Sequence, residues 1–116
     1  YKPIFDPIVA DFYSGMCVCV PLHTRLMKKK TDPNSLRKYF EEYYASRNFV
    51  KVAQEGRQYL AANPLAGTNE MEIFVDGNEE RIMLASVFDN LGKGASGAAV
   101  QCMNIMLGLD ETISLK

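Results

Sequence analysis

Residues 89 to 109 restrict this chain more than any other stretch. Asp89-Asn90-Leu91-Gly92-Lys93-Gly94-Ala95-Ser96-Gly97 crowds three glycines into a turn, and from Ala95 to Leu109 there is no charged residue. Arg81 to Phe88 reads as a strand, so a strand feeds a glycine-rich turn that opens a helix. Glycine lacks a Cβ, and the first N–H groups of a helix have no partner within it, so such a turn lets a ligand or another segment approach the backbone. Gly92 to Gly97 spells G-x-G-x-x-G, yet the dinucleotide fingerprint also needs a second parallel strand and an acidic residue about 20 positions on. Here Asp110 and Glu111 arrive as the helix ends and no strand follows. A tight turn whose glycines allow close packing is the simpler reading.

The helix-like segment is apolar nearly all round. Ala95, Ala98, Cys102, Ile105 and Leu109 fall on one stripe and Val100, Met103 and Leu107 on another, with Ser96, Gln101 and Asn104 as polar interruptions. A helix of that kind is expected to be buried on both sides. At 15 residues it is shorter than the roughly 20 that a membrane span needs. Burial on both sides in so small a chain implies a protein layer beyond it.

Composition narrows the function classes. Thirteen basic against fourteen acidic residues give a net charge of −1, so no nucleic-acid partner held by bulk charge is indicated. No signal peptide or membrane segment is visible. The three cysteines are odd in number and in no framework spacing, which implies free thiols and a reducing, cytoplasmic setting. The chain opens on Tyr1-Lys2-Pro3-Ile4-Phe5 without a starting methionine; it is expected to be a piece of a longer protein, folded as one domain over residues 1 to 116.

Pro3 and Pro7 make the lead-in extended or irregular. From Met16, a strand places Met16, Val18, Val20 and Leu22 on one face and Cys17 and Cys19 on the other, both apolar, so an interior strand ended by Pro21 is expected. Cys17 and Cys19 share a face with His23, but a metal site needs further ligands; small buried fillers are the expected role, and no metal site is assigned. Lys28-Lys29-Lys30 reads as a solvated loop tip. Asp32-Pro33 starts a helix by capping and by proline in the first turn, with Leu36, Tyr39, Phe40 and Tyr43 as its buried stripe and Arg37, Lys38, Glu41 and Glu42 facing water. Phe49 to Ala53 reads as a short strand. Gln54 to Asn69 is a long polar connection, expected outside the core, with room for a helical turn over Tyr59 to Ala62. Met71, Ile73 and Val75, the turn Asp76-Gly77-Asn78-Glu79, and Ile82, Leu84 and Ser86 make a hairpin. The order gives an α+β fold, a mainly antiparallel mixed sheet with helices packed on one face.

Several of these stretches carry a resemblance. Phe12-Tyr13-Ser14-Gly15-Met16, Val18 to His23, Gly67-Thr68-Asn69, and above all Asp89 to Gln101 followed by Asn104, Met106, Leu107, Gly108 and Leu109 resemble the C-terminal part of the N-acetyl-gamma-glutamyl-phosphate reductase family. The resemblance implies a glyceraldehyde-3-phosphate dehydrogenase-like C-terminal domain. In that plan an NADP-binding Rossmann domain precedes a substrate and oligomerisation domain, and a final helix returns to the nucleotide domain. It also implies a small-molecule substrate, a homo-oligomer, and a reaction in which a cysteine thiolate, a histidine and a nicotinamide cooperate. Those two catalytic residues belong to motifs upstream of the matched stretches, so no catalytic role falls on Cys17, Cys19, Cys102 or His23. Many members have arginine where this chain has Ser14, so no substrate-carboxylate contact is carried over there. By the same resemblance Asn90, with Leu91 and the backbone at Gly94, would face NADP in the whole enzyme. A free-standing dimerisation or interaction module without catalysis is the alternative from a different class.

Overall fold

Alternating apolar residues and one tight turn build the hairpin at the centre of the sheet. A computed structural model describes residues 2–54 and 59–116; Tyr1 and residues 55–58, part of the Gln54 to Asn69 connection, lie outside the described residues. Strand β1 (Met16–His23) is followed by helix α1 (Pro33–Tyr44), strand β2 (Val50–Val52), strands β3 (Met71–Gly77) and β4 (Arg81–Phe88), and helix α2 (Gly97–Met106). The sheet order is β1-β4-β3-β2. β4 pairs antiparallel with both β1 and β3, while β2 runs parallel to β3. The fold is α+β with a mixed sheet, as the element order implies.

The hairpin follows from its turn chemistry. Gly77 takes φ +125°, a value open to glycine. The Asn78 side chain then accepts from the amides of Glu80 and Arg81 at 2.9 and 3.0 Å. Asp32 caps α1 by accepting from the Ser35 amide at 3.0 Å, with Pro33 opening the first turn. The inward stripe of α1 is rotated from the expected one. Leu36, Arg37, Phe40 and Tyr44 are half-buried, whereas Tyr39 and Tyr43 are 57% and 58% exposed. Those two tyrosines stack on each other at 6.1 Å on the outer side. Arg37, expected in water, donates from Nη2 to the Val75 carbonyl at 2.6 Å. The Ile73 carbonyl accepts from Ala53 on the same edge of β3; past the end of β2 the guanidinium takes over that role at Val75, which a backbone acceptor requires when strand pairing stops.

Two further expectations change. β1 is an edge strand, not an interior one, and Pro21 sits inside it; a proline without an N–H is tolerated where one side has no ladder to join. Met16, Val18 and Val20 are accordingly 40 to 46% exposed. The Gln54 to Asn69 connection is partly core: Leu65 packs on the cluster of Ala53, Phe74, Ala85 and Val87, and Asn69 is buried. Its turn falls over residues 64 to 67, and Tyr59 to Ala62 is not helical.

Candidate functional site

Where β4 ends, the chain turns around one carboxylate. Asp89 is 2% exposed. Its Oδ1 accepts from the amides of Leu91 and Gly92, both at 2.7 Å. Its Oδ2 accepts from the Gly67 amide at 2.5 Å and the Ser14 hydroxyl at 3.0 Å. Donors converging on an anion favour the charged form, and the Gly67 and Gly92 amides, then Leu91 and Ser14, hold the carboxyl down to about 2. One side chain thereby joins three stretches distant in sequence: the approach to β1, the loop before β3, and the turn after β4. Asn90 adds a fourth link, its Oδ1 accepting from the Gly15 amide at 2.8 Å. Its Nδ2 has no partner among the described residues.

The turn is a π-type turn over Gly92–Ser96, with amides reaching back five residues: Gly94 to the Asp89 carbonyl at 2.8 Å and Ser96 to Leu91 at 3.0 Å. α2 therefore starts at Gly97, two residues later than Ala95. Wide turns of this kind occur often at functional sites. Its glycines serve close approach. A Cβ on Gly92 would meet the Thr68 carbonyl at 2.7 Å, one on Gly94 would meet the Phe88 ring at 3.0 Å, and one on Gly97 would collide with Asn69 Oδ1. The G-x-G-x-x-G lettering is thus explained by packing against β4 and the 66 to 69 loop. Gly97→Ala is expected to lower stability by about 1–3 kcal/mol through overpacking, read as a fall in the denaturation midpoint with an unchanged slope.

α2 inverts the expected burial. Its buried residues are Gly97 and Asn104, with Ala98, Val100 and Gln101 half-buried, and Met103, Ile105, Met106 and Leu107 are 50% exposed or more. The reason lies in the tail. Asn104 Nδ2 donates to the carbonyls of Ile113 at 2.9 Å and Glu111 at 3.4 Å, and Gln101 Nε2 donates to Glu111 Oε2 at 2.8 Å, so polar groups fold residues 107 to 116 back along the helix. The Asn69 amide donates to the Lys116 carbonyl. The apolar residues from Met103 to Leu109 are left outward.

Of the expected cofactor-facing residues, Asn90 is half-buried, Leu91 is 46% exposed, and Gly94 is exposed. Leu91 lines a groove of about 620 Å³ with Ser14, Thr68, Gly92, Ser96 and Gly97; Asn90 and Gly94 lie outside its lining. Sequence reasoning missed Asp89 as the organiser, and the signal for it was slight: an acid directly before a glycine turn, where free amides gather. Ser14 has a role of its own as a donor to Asp89. Cys17 and Cys19 are free, their sulfurs 3.8 Å apart, and burial with the neighbouring Cys19 pushes the Cys17 thiol up to about 11. Such a thiol is a poor nucleophile at neutral pH. Among the described residues no group of three His, Cys, Asp or Glu side chains is placed to hold a metal, and no helix is long and apolar enough to cross a membrane.

A mixed sheet with an open edge strand, an uncovered apolar helix stripe and a turn pinned by a buried carboxylate defines an α+β domain built to pack against other protein. The chain belongs to the semialdehyde dehydrogenase dimerisation-domain family, whose model matches residues 1–90. It is 40% identical over 97% of its length to N-acetyl-gamma-glutamyl-phosphate reductase 2 of a Nostoc species, and 38% identical over 97% to the N-acetyl-gamma-glutamyl-phosphate reductase of Trichormus variabilis. Against the enzyme of that name from Brucella ovis it is 41% identical over 92%. It spans 38%, 38% and 36% of those relatives' own lengths.

Proposed function

We propose that this chain is the substrate and oligomerisation portion of a cytoplasmic N-acetyl-gamma-glutamyl-phosphate reductase. That enzyme converts N-acetylglutamyl 5-phosphate to N-acetylglutamate 5-semialdehyde in arginine biosynthesis, with NADP as cofactor. The observation that carries the reading is the likeness to enzymes of that name along nearly the whole chain, including the turn after β4. The turn fits a nicotinamide. Asn90 Nδ2 is a donor free to meet a carboxamide oxygen, because Oδ1 is already engaged by Gly15. Leu91 beside it offers an exposed apolar surface to a flat ring. Gly94 keeps the backbone beside them without a side chain. When bound, the nicotinamide supplies the hydride; these residues orient it, and Asp89 fixes the loop that carries them. The thiolate and the acid/base histidine come from other parts of the enzyme, and residues 1 to 116 form one domain within it.

The test is phosphate-dependent NADP reduction with N-acetylglutamate 5-semialdehyde by the intact protein, expected to be present there and absent from the 116-residue chain by itself. Activity in neither, or full activity in the chain alone, contradicts the reading. The exposed face of Met16, Val18 and Val20 beside an open strand edge suits a second copy of the chain, since unpaired edges and apolar patches are seldom left to water. Sedimentation is expected to give a concentration-dependent dimer or tetramer, and Val18→Lys to shift it toward monomer. A monomer at every concentration opposes the oligomer.

A further inference from the structure

Cys17 and Cys19 look like core fillers as long as β1 is taken for an interior strand. On an edge strand they are something else. Cys19 is exposed, Cys17 is half-buried against the core cluster, and their sulfurs lie 3.8 Å apart on one face of β1. Their cross-strand partners on β4 are Val87 and Ala85 respectively. We propose that Cys17 and Cys19 form a dithiol site that reacts with low-molecular-weight disulfides and closes to an intramolecular disulfide.

The order of events follows from exposure. The Cys19 thiolate attacks one sulfur of the small disulfide, whose S–S bond breaks, and one small thiolate leaves and takes a proton. Cys17 then loses its proton to solvent and attacks the Cys19 sulfur, expelling the second small thiol. Two protein thiols are oxidised to one disulfide, and one small disulfide is reduced to two thiols. Cys17 takes the second role because its sulfur already lies 3.8 Å from that of Cys19; burial, which holds its thiol above the ordinary range, makes this closure the slower of the two steps.

Closure reshapes β1. Residues two apart in a strand are separated by about 6.6 Å, near the outer limit that a disulfide bridges, so the strand must pucker at Val18. An edge strand with one neighbour can do this. A bridge held under such strain is readily reduced again, as regulatory disulfides are. The pucker reaches Gly15, whose amide holds Asn90, and Ser14, whose hydroxyl meets Asp89. Oxidation therefore loosens the turn after β4; its effect on cofactor binding rests on the reading of Asn90 given above.

The intact protein is treated with oxidised glutathione, its remaining thiols are alkylated, and its peptides are mapped by mass. The expected product is a Cys17 to Cys19 bridge, with both thiols lost to alkylation and both restored by dithiothreitol. Cys17→Ala should stop at a glutathione adduct on Cys19, and Cys19→Ala should leave Cys17 reduced. A wild-type protein that stops at the Cys19 adduct, or bridges either residue only to another cysteine, overturns the proposal. Hydrogen exchange at the Gly15 amide tests the coupling: faster exchange in the bridged form supports it, and unchanged exchange overturns it. Neither measurement involves cofactor, so failure of the dithiol and failure of the Asn90 assignment are told apart.

Discussion

Replacing Asp89 with alanine is expected to cost more stability than any other single change in the turn. The Gly67, Leu91 and Gly92 amides all lose their acceptor, and a hydrogen bond to a charged group contributes about 1.5–3 kcal/mol. Together they threaten a large part of the 5–15 kcal/mol that roughly spans the stability of a domain. Asp89→Asn should fall between, because one amide oxygen can serve Leu91 and Gly92, or Gly67 and Ser14, while the NH2 group faces the other donors. Chemical denaturation of the three proteins gives the ranking. The carboxyl also sets an acid limb. Its folded value of about 2 lies below the ordinary 3.8, so the folded state holds the proton less tightly than the unfolded chain. The stability it contributes is complete above pH 4 or so and is lost as pH falls toward about 2. Asp32, Asp110 and Glu111 are lowered as well, by Ser35, Thr112 and Gln101, so the Asp89→Asn variant keeps some acid dependence. A limb equally steep in both proteins would remove Asp89 from this role.

The second large effect is kinetic and belongs to Asn90 in the intact enzyme. Alanine would be an ambiguous probe, because it also removes the acceptor for the Gly15 amide and so lowers stability whatever Asn90 does for a ligand. Asn90→Asp separates the two roles. It keeps an oxygen for Gly15 and replaces only the Nδ2 donor. Losing one donor to the carboxamide, at about 0.5–1.5 kcal/mol, together with the new negative charge, should raise the Michaelis constant for NADP or lower the hydride-transfer rate by about two- to tenfold or more. The melting temperature should stay close to wild type. Unchanged cofactor kinetics in a folded Asn90→Asp enzyme would leave the residue as a turn element that ties β4 to Gly15.

Much of this architecture is fixed by local chemistry. Asp32 and Pro33 start α1 because a carboxylate and a proline suit the first turn, and Gly77 with Asn78 closes the hairpin because the backbone there needs a positive φ and a side-chain acceptor. β4 appears where its residues predict it, and the α+β class follows from element order. The special character of residues 89 to 97 is equally plain in the letters.

What the letters could not supply is which segments meet. Strand position in a sheet is a nonlocal property, so β1 looked interior from its apolar residues although pairing leaves it on the edge. Helix faces failed for the same reason. A helix turns toward whatever contacts are available, and α2 presents Gln101 and Asn104 to a tail that returns along it, leaving its methionines outward. Asp89 shows the limit best. Its donors come from Ser14, Gly67, Leu91 and Gly92, up to 75 residues away along the chain. Only the folded chain brings those donors to one carboxylate, and low solvent access there is what turns an ordinary aspartate into the pin of the turn.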